Sequence, residues 1–325
     1  MQRRTALTLA LASLATPAFA FPEKPITIAT GYAPGGSTDI AARLLAERLA
    51  ANLGAGTRVL VENRPGAGGV VAADWLRRQP ADGHTIMLVE SSSHGIAPNA
   101  LVGGTRYDPV ADFSHLGVIG TAPLILVVNN NFPAQTAAQA IARFRSAPPE
   151  SLTYATSGVG TILHLATEML ALDLNTRFVH VPYRSGGQML TAIFTGEAQF
   201  GIAVLASAAN QVRQGLARGL AVTGRQRFPS FPDMPTLAEA GVTGFDLETW
   251  NVLLGPPNMP ADIQAALNRA LVASLAEPEL AAKLQTAGVL AWHQPNGPTE
   301  ARGFMQREVA KFRAVVERTG VRLEP

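Results

Sequence analysis

Ile26–Thr27–Ile28–Ala29–Thr30 is followed by Tyr32–Ala33–Pro34–Gly35–Gly36–Ser37–Thr38–Asp39 and then by Ile40, Ala41, Leu44, Leu45 and Leu49, with Gly54 beyond. The first run is β-branched and short, as a strand requires, and the last set recurs at helical spacing before a terminating glycine. Between them two glycines and a Ser-Thr pair make a tight turn that delivers the chain to a helix start. The order is therefore strand, glycine turn, helix. It recurs at Leu152–Ala155, Thr156–Ser157–Gly158–Val159–Gly160–Thr161 and the helical stripe Leu163, Ala166, Thr167, Leu170.

Working outward, further strand candidates are Val59–Glu62, Thr85–Val89, Leu124–Val128, Phe178–Val181, Phe200–Val204, Gly219–Thr223 and Leu247–Leu254, alternating with longer helical patterns. Pro260, Pro278 and Pro298 each stand at the head of a run of helix formers, where a missing N–H costs nothing. This alternation predicts an α/β fold with mostly parallel sheets. The strands divide into an outer set and a middle set. Two α/β lobes follow, the first built discontinuously from residues 21–124 and 225–325 and the second from 125–224, with a cleft between them.

The chain has 325 residues, 26 Lys and Arg against 24 Asp and Glu, and no cysteine. Arg3 and Arg4 open an N-terminal segment with an apolar run, Ala6 to Leu14, and an Ala18–Phe19–Ala20 exit. That is the pattern of a secretory signal peptide over residues 1–20, too short to cross a bilayer. The paired arginines also admit twin-arginine export. Removing the two arginines leaves 24 basic residues against 24 acidic ones, so no footprint for nucleic acid remains. A periplasmic location and a monomer are expected.

A glycine turn before a helix lets a ligand approach the backbone, and the helix start offers unpaired N–H groups at a positive dipole end. Two such starts on one cleft would hold an anion, although the same composition also suits a purely structural turn. The anion is not expected to be a nucleotide: Lys24, Lys283 and Lys311 all lack a preceding glycine, and Leu163 and Val71 stand where a dinucleotide fingerprint needs a small residue. Neither a GxSxG elbow nor an HExxH pair is present, and no catalytic residue, cofactor or metal is predicted. His164 and Glu168 share one helix face without a third ligand nearby. Ser91–Ser92–Ser93, beyond the strand Thr85–Val89, lies at the carboxyl end of a sheet, where α/β folds bind ligands; a plain polar loop is the alternative. Ser91 joins the candidates on that ground.

The turn Tyr32–Asp39 with Ala42–Arg43–Leu44, the segment Val61–Glu62–Asn63–Arg64–Pro65–Gly66–Ala67–Gly68–Gly69 and Asp82–Gly83–His84–Thr85 resemble the Bug family of periplasmic binding proteins of tripartite tricarboxylate transporters. Tyr107–Asp108–Pro109, Ser157–Gly160 with His164, His180–Val181–Pro182–Tyr183, and Pro235–Thr236–Leu237 with Glu239 and Gly241 extend the likeness in order along the mature chain. The resemblance implies a type II periplasmic-binding-protein fold closing on a small carboxylate or related solute, for delivery to membrane subunits. It implies contact with the ligand by Tyr32, Gly35, Gly36, Ser37, Ser157, Gly160, Thr161 and Tyr183. A periplasmic sensor or an enzyme using the same cleft is the alternative.

Overall fold

The computed structural model describes residues 21–323; the expected signal peptide, residues 1–20, lies outside the described residues. β1 (Ile26–Thr30) passes through the first glycine turn into α1 (Ser37–Leu53), and β2 (Val59–Asn63), α2 (Val70–Leu76) and β3 (Thr85–Glu90) follow. After the one-turn α3 (Ala97–Ala100) comes β4 (Ser114–Val128), the longest strand. Next are α4 (Ala137–Ser146), β5 (Thr153–Thr156), α5 (Ile162–Asp173), β6 (Val179–Pro182), α6 (Gly186–Thr195), β7 (Phe200–Val204), α7 (Leu205–Arg213) and β8 (Arg218–Val222). The chain closes with β9 (Glu248–Gly255), α8 (Ala261–Ala276), α9 (Pro278–Thr286), β10 (Leu290–Ala291) and α10 (Pro298–Thr319).

The strands run in the order β2-β1-β3-β9-β4-β7-β5-β6, with β8 and β10 also pairing β4. Between the named strands, parallel pairing is confined to the flanks, where β1 joins β2 and β3, and β5 joins β6 and β7. The centre is antiparallel: β9 pairs β3 and β4, and β4 pairs β7, β8 and β10. The expectation of mostly parallel sheets thus holds for the flanks and fails at the middle. The reason is topological, since β4 carries the chain out of the first lobe and β9 carries it back, so the two run in opposite directions. β4 pairs β9 from Ser114 to Pro123 and then takes β7 as its neighbour from Leu124 to Val128. Only its last third, Leu124–Val128, was legible as a strand, because Gly117, Gly120 and Pro123 interrupt the rest; the register slips beside both glycines.

The buried apolar residues form one continuous core with a part in each lobe. In the first, α1 turns Ala41, Ala42, Leu45 and Leu49 onto the sheet face that carries Ile26 and Ile28, all fully buried. Leu45→Ala there would cost about 2–5 kcal/mol through lost transfer energy and the cavity left behind. In the second, Phe144 and Phe200 pack at a ring separation of 4.6 Å, with Tyr154 beside them. The chain's last described residue returns to the cleft: Leu323 donates its N–H to Ala100 O at 3.0 Å and accepts the Val102 N–H at 2.9 Å. Its side chain lies under the second glycine turn.

Candidate ligand-binding cleft

Both glycine turns end in helices without a side-chain cap. Gly36 precedes α1 and Thr161 precedes α5, each in extended conformation, and neither contributes a capping hydrogen bond. At the first turn the donors nearest to hand are claimed by one carboxylate. Asp39, 3% exposed, accepts the Gly35 N–H at 2.9 Å and Arg43 Nε at 3.0 Å on Oδ2, and Asn63 Nδ2 at 2.9 Å on Oδ1. Arg43 Nη2 also lies 2.9 Å from Oδ1. Burial pushes the Asp39 carboxyl up, but the hydrogen bonds from Arg43, Gly35 and Asn63, with the Arg43 charge, outweigh it and hold the group below the usual range. Gly35 sits at φ 84°, a conformation that glycine adopts without strain, and this aims its N–H back at Asp39. Among the described residues, no hydrogen bond engages the N–H groups of Ser37 or Thr38.

Beside this turn, β3 ends on Glu90, 5% exposed. Its Oε1 accepts the Ser92 N–H at 3.1 Å and the Tyr32 hydroxyl; its Oε2 accepts the Thr249 hydroxyl at 3.1 Å. Burial raises the Glu90 carboxyl above its ordinary value, against the pull of the Tyr32, Ser92 and Thr249 hydrogen bonds. Burial and the Glu90 charge likewise push the Tyr32 phenol well up, so it remains a neutral donor.

The second turn meets the first across the cleft. Ile162, the first residue of α5, donates its N–H to Ser92 Oγ at 3.1 Å, a direct link between the two lobes. Thr161 turns its hydroxyl inward to Gly158 O at 2.9 Å, and the Gly160 N–H reaches His164 Nδ1 at 3.3 Å. The His164 ring stacks on His180 at 4.3 Å, and His180 in turn stacks on Tyr154 at 4.8 Å. Burial, then the neighbouring His164, holds His180 down to about 4. Among the described residues, no group of three or more His, Asp or Glu is placed to hold a metal ion.

Between the turns lies a cavity of about 40 Å³, lined on the first lobe by Tyr32, Gly36, Ser37, Thr38, Glu90 and Ser92. The second lobe contributes Ser157, Thr161, Ile162, Leu163, Gly186, Met189, Ala203, Val204 and Ser207. At roughly 15 Å³ per water, that space suits about three water molecules and is too small for a dicarboxylate. A wider groove of about 810 Å³ runs past Tyr107, Asp108, Arg302 and Arg313, but it is open and none of the sequence-predicted site residues lines it. Volume therefore does not single out a candidate, whereas the convergence of two uncapped helix starts marks this cavity as the candidate site.

Of the residues named from sequence, Tyr32, Gly36, Ser37, Ser157 and Thr161 line this cavity and Gly35, Ser91, Gly160 and Tyr183 do not. Gly35 faces Asp39. Ser91 is fully buried beneath the cavity, its hydroxyl 2.8 Å from that of Thr249; Ser92, one position on, takes the cleft side. Gly160 has φ 76°, and a Cβ there would overlap the Leu323 side chain. Its glycine is required by that contact and by the left-handed backbone. Sequence reasoning passed over Glu90, Thr38, Gly186, Met189 and Ser207. Glu90 alone had a signal, a charged residue closing an apolar strand immediately before a serine run.

Comparison with known proteins bears on the family and the fold. Residues 41–321 match the model of the tripartite tricarboxylate transporter family receptor. Protein BugT of Bordetella pertussis is 30% identical over 321 residues, covering 97% of this chain and 96% of that one. The structure of the periplasmic binding protein BugD superposes with a TM-score of 0.86 at 25% identity, over 94% of this chain and all of the other. R. palustris Rpa4515, solved with adipate, gives 0.87 at 29% identity with the same coverage. The chain belongs to the Bug family, the receptors of tripartite tricarboxylate transporters.

Proposed function

We propose that this chain captures a small organic carboxylate between its lobes in the periplasm and presents it to the membrane subunits of a tripartite transporter. The observation that carries this reading is the pair of uncapped helix starts, α1 and α5, opening on one cavity. Neutral N–H and O–H donors at fixed positions stabilise an anion without the desolvation of a buried arginine. The N–H groups at Ser37 and Thr38, with the hydroxyls of Ser37 and Ser157, are the proposed hydrogen-bonding contacts, and the Tyr32 ring, its hydroxyl turned to Glu90, packs against the solute. Thr161 and Gly36 shape the wall, while Gly35, Ser91, Gly160 and Tyr183 support it from behind. The adipate bound by Rpa4515 supports the choice of a carboxylate.

Entry requires the lobes to part, since the cavity is smaller than the solute. The proposed lobes are residues 21–124 with 225–325, and 125–224; the change of partner along β4 at Leu124 supports the first boundary. Hinge motion about the two crossing strands would break the Ser92–Ile162 hydrogen bond and re-form it on closure. Export through residues 1–20 and a monomeric working state complete the proposal.

A thermal-shift series of the purified protein with succinate, malate, adipate and nicotinate tests it. A ligand at about 100 times its Kd stabilises the folded state by about 2.7 kcal/mol, a shift of several degrees. Binding by none of a broad panel of carboxylates, zwitterionic ones included, refutes the reading.

A further inference from the structure

A second pocket, of about 350 Å³, opens on the first lobe away from the cleft. It sits at the start of β4, where Ser114 pairs Gly255 at the end of β9; Glu90, beside the cleft, pairs Asn251 further back on that strand. Its charge is one-sided. The lining contains no carboxylate, and Arg302, its one ionised side chain, has no ion pair or hydrogen bond among the described residues. His115, 4% exposed, lines the same pocket; its ring makes no hydrogen bond among the described residues, and the buried Nε2 is left without a partner. Burial, then the Arg302 charge, holds this imidazole down to about 4, so at neutral pH it is uncharged and has one N–H to give.

The third donor set is backbone. α10 begins at Pro298 after an extended Gly297 that supplies no side-chain cap, and no hydrogen bond engages the N–H groups of Thr299 and Glu300 among the described residues. Thr299 belongs to the lining, whereas the Glu300 carboxylate folds back beside Gly297 and does not. A helix of 22 residues thus turns the positive end of its dipole, an unpaired guanidinium and an unsatisfied imidazole toward one enclosure. A buried polar ring without a partner is costly, and an acceptor from outside relieves it.

We propose that this pocket binds a phosphate monoester, on a soluble molecule or at the head of a lipid, at a site separate from the cleft. The donors come from β4, from the first turn of α10 and from the Arg302 side chain one turn on, so they approach from different directions. A tetrahedral phosphate has an oxygen for each, and a planar carboxylate has only two. Ala111, Phe113 and Pro298 leave apolar wall for the carbon that bears it. The proposal does not depend on the reading of the cleft.

Calorimetry with glycerol 3-phosphate, and flotation with phosphatidylcholine vesicles with and without phosphatidate, test it. Glycerol 3-phosphate or phosphatidate should bind, the former with a Kd of about 1 mM or below. Arg302→Gln removes the cation, and Thr299→Asp sets a carboxylate on the free amides, where it favours the helix and repels the anion. Each should weaken binding about tenfold or more, with the urea midpoint of Thr299→Asp unchanged or raised. Phosphatidate-dependent flotation lost in both variants would support the proposal with a lipid headgroup as the source; binding of glycerol 3-phosphate alone, lost in both, would support it with a soluble monoester. A wild type that takes up neither glycerol 3-phosphate at about 10 mM nor phosphatidate vesicles overturns it. Binding undiminished in either folded variant also overturns it, since the phosphate then sits elsewhere, the cleft included. If one variant does not fold, the other decides.

Discussion

Oδ2 of Asp39 accepts the backbone N–H of Gly35 at 2.9 Å, so the acidic residue in the first turn of α1 caps the loop before the helix and leaves the helix start itself open. An aspartate at this position ordinarily competes with any anionic ligand for the N-terminal amides. Arg43 and Asn63 draw it sideways and remove the competition.

Asp39→Ala should therefore loosen the Gly35–Gly36 turn and weaken solute binding about tenfold, at a stability cost of about 1–3 kcal/mol for the lost buried hydrogen bonds. Calorimetry with the tightest probe from the thermal-shift series measures the first and urea unfolding the second. Tighter binding by the variant would show that the carboxylate competes with the ligand.

The same carboxylate sets an acid limit on stability. Its folded-state value is depressed, so its contribution is complete above the unfolded value near pH 4 and disappears as pH falls through the lower folded value. Urea midpoints of wild type and Asp39→Asn should differ most above pH 5 and converge toward pH 2. A difference independent of pH would mean that the charge is irrelevant.

Histidines act over a higher range. Burial, with His164 second, holds His180 down to about 4, and burial, with His115 second, holds His94 down to about 3. Groups kept neutral in this way favour the folded state fully above the unfolded value near pH 6.5, and the advantage is lost as pH falls toward their folded values. The wild-type midpoint should drop between pH 6.5 and 4, and His180→Gln should flatten part of that slope. An unchanged slope would remove the His164–His180 stack from the account.

Gly160→Val combines a left-handed backbone with an overlap on Leu323. We expect a loss of about 2–4 kcal/mol in unfolding free energy, of which Leu323→Ala in the same chain recovers the steric share. A neutral Gly160→Val would show that the C-terminal segment does not pack there in solution.

Ser92→Ala removes the acceptor for the Ile162 N–H across the cleft. With that link gone the closed form loses about 1 kcal/mol, and solute should dissociate about fivefold faster in stopped-flow measurements. An unaltered off-rate would place the lobe contact elsewhere.

Strand, turn and helix around Ile26–Leu49 were determined locally, by β-branched alternation, by two glycines and by apolar spacing, and the same holds at Leu152–Leu170. These signals lie within a few residues of the structure they specify, so the two glycine turns could be read from the chain alone. Which serine of Ser91–Ser92–Ser93 reaches the cleft could not, because the chain coils immediately after β3 and the direction of each hydroxyl is set by Glu90, Thr249 and Ile162, partners up to 158 residues away. The same is true of Gly160, whose neighbour Leu323 belongs to the far end of the chain. Glu90 is the clearest case. Its residue type was visible, but its burial without a cation arises only when β1, β3 and β9 assemble around it and exclude water, and that environment exists nowhere in the sequence.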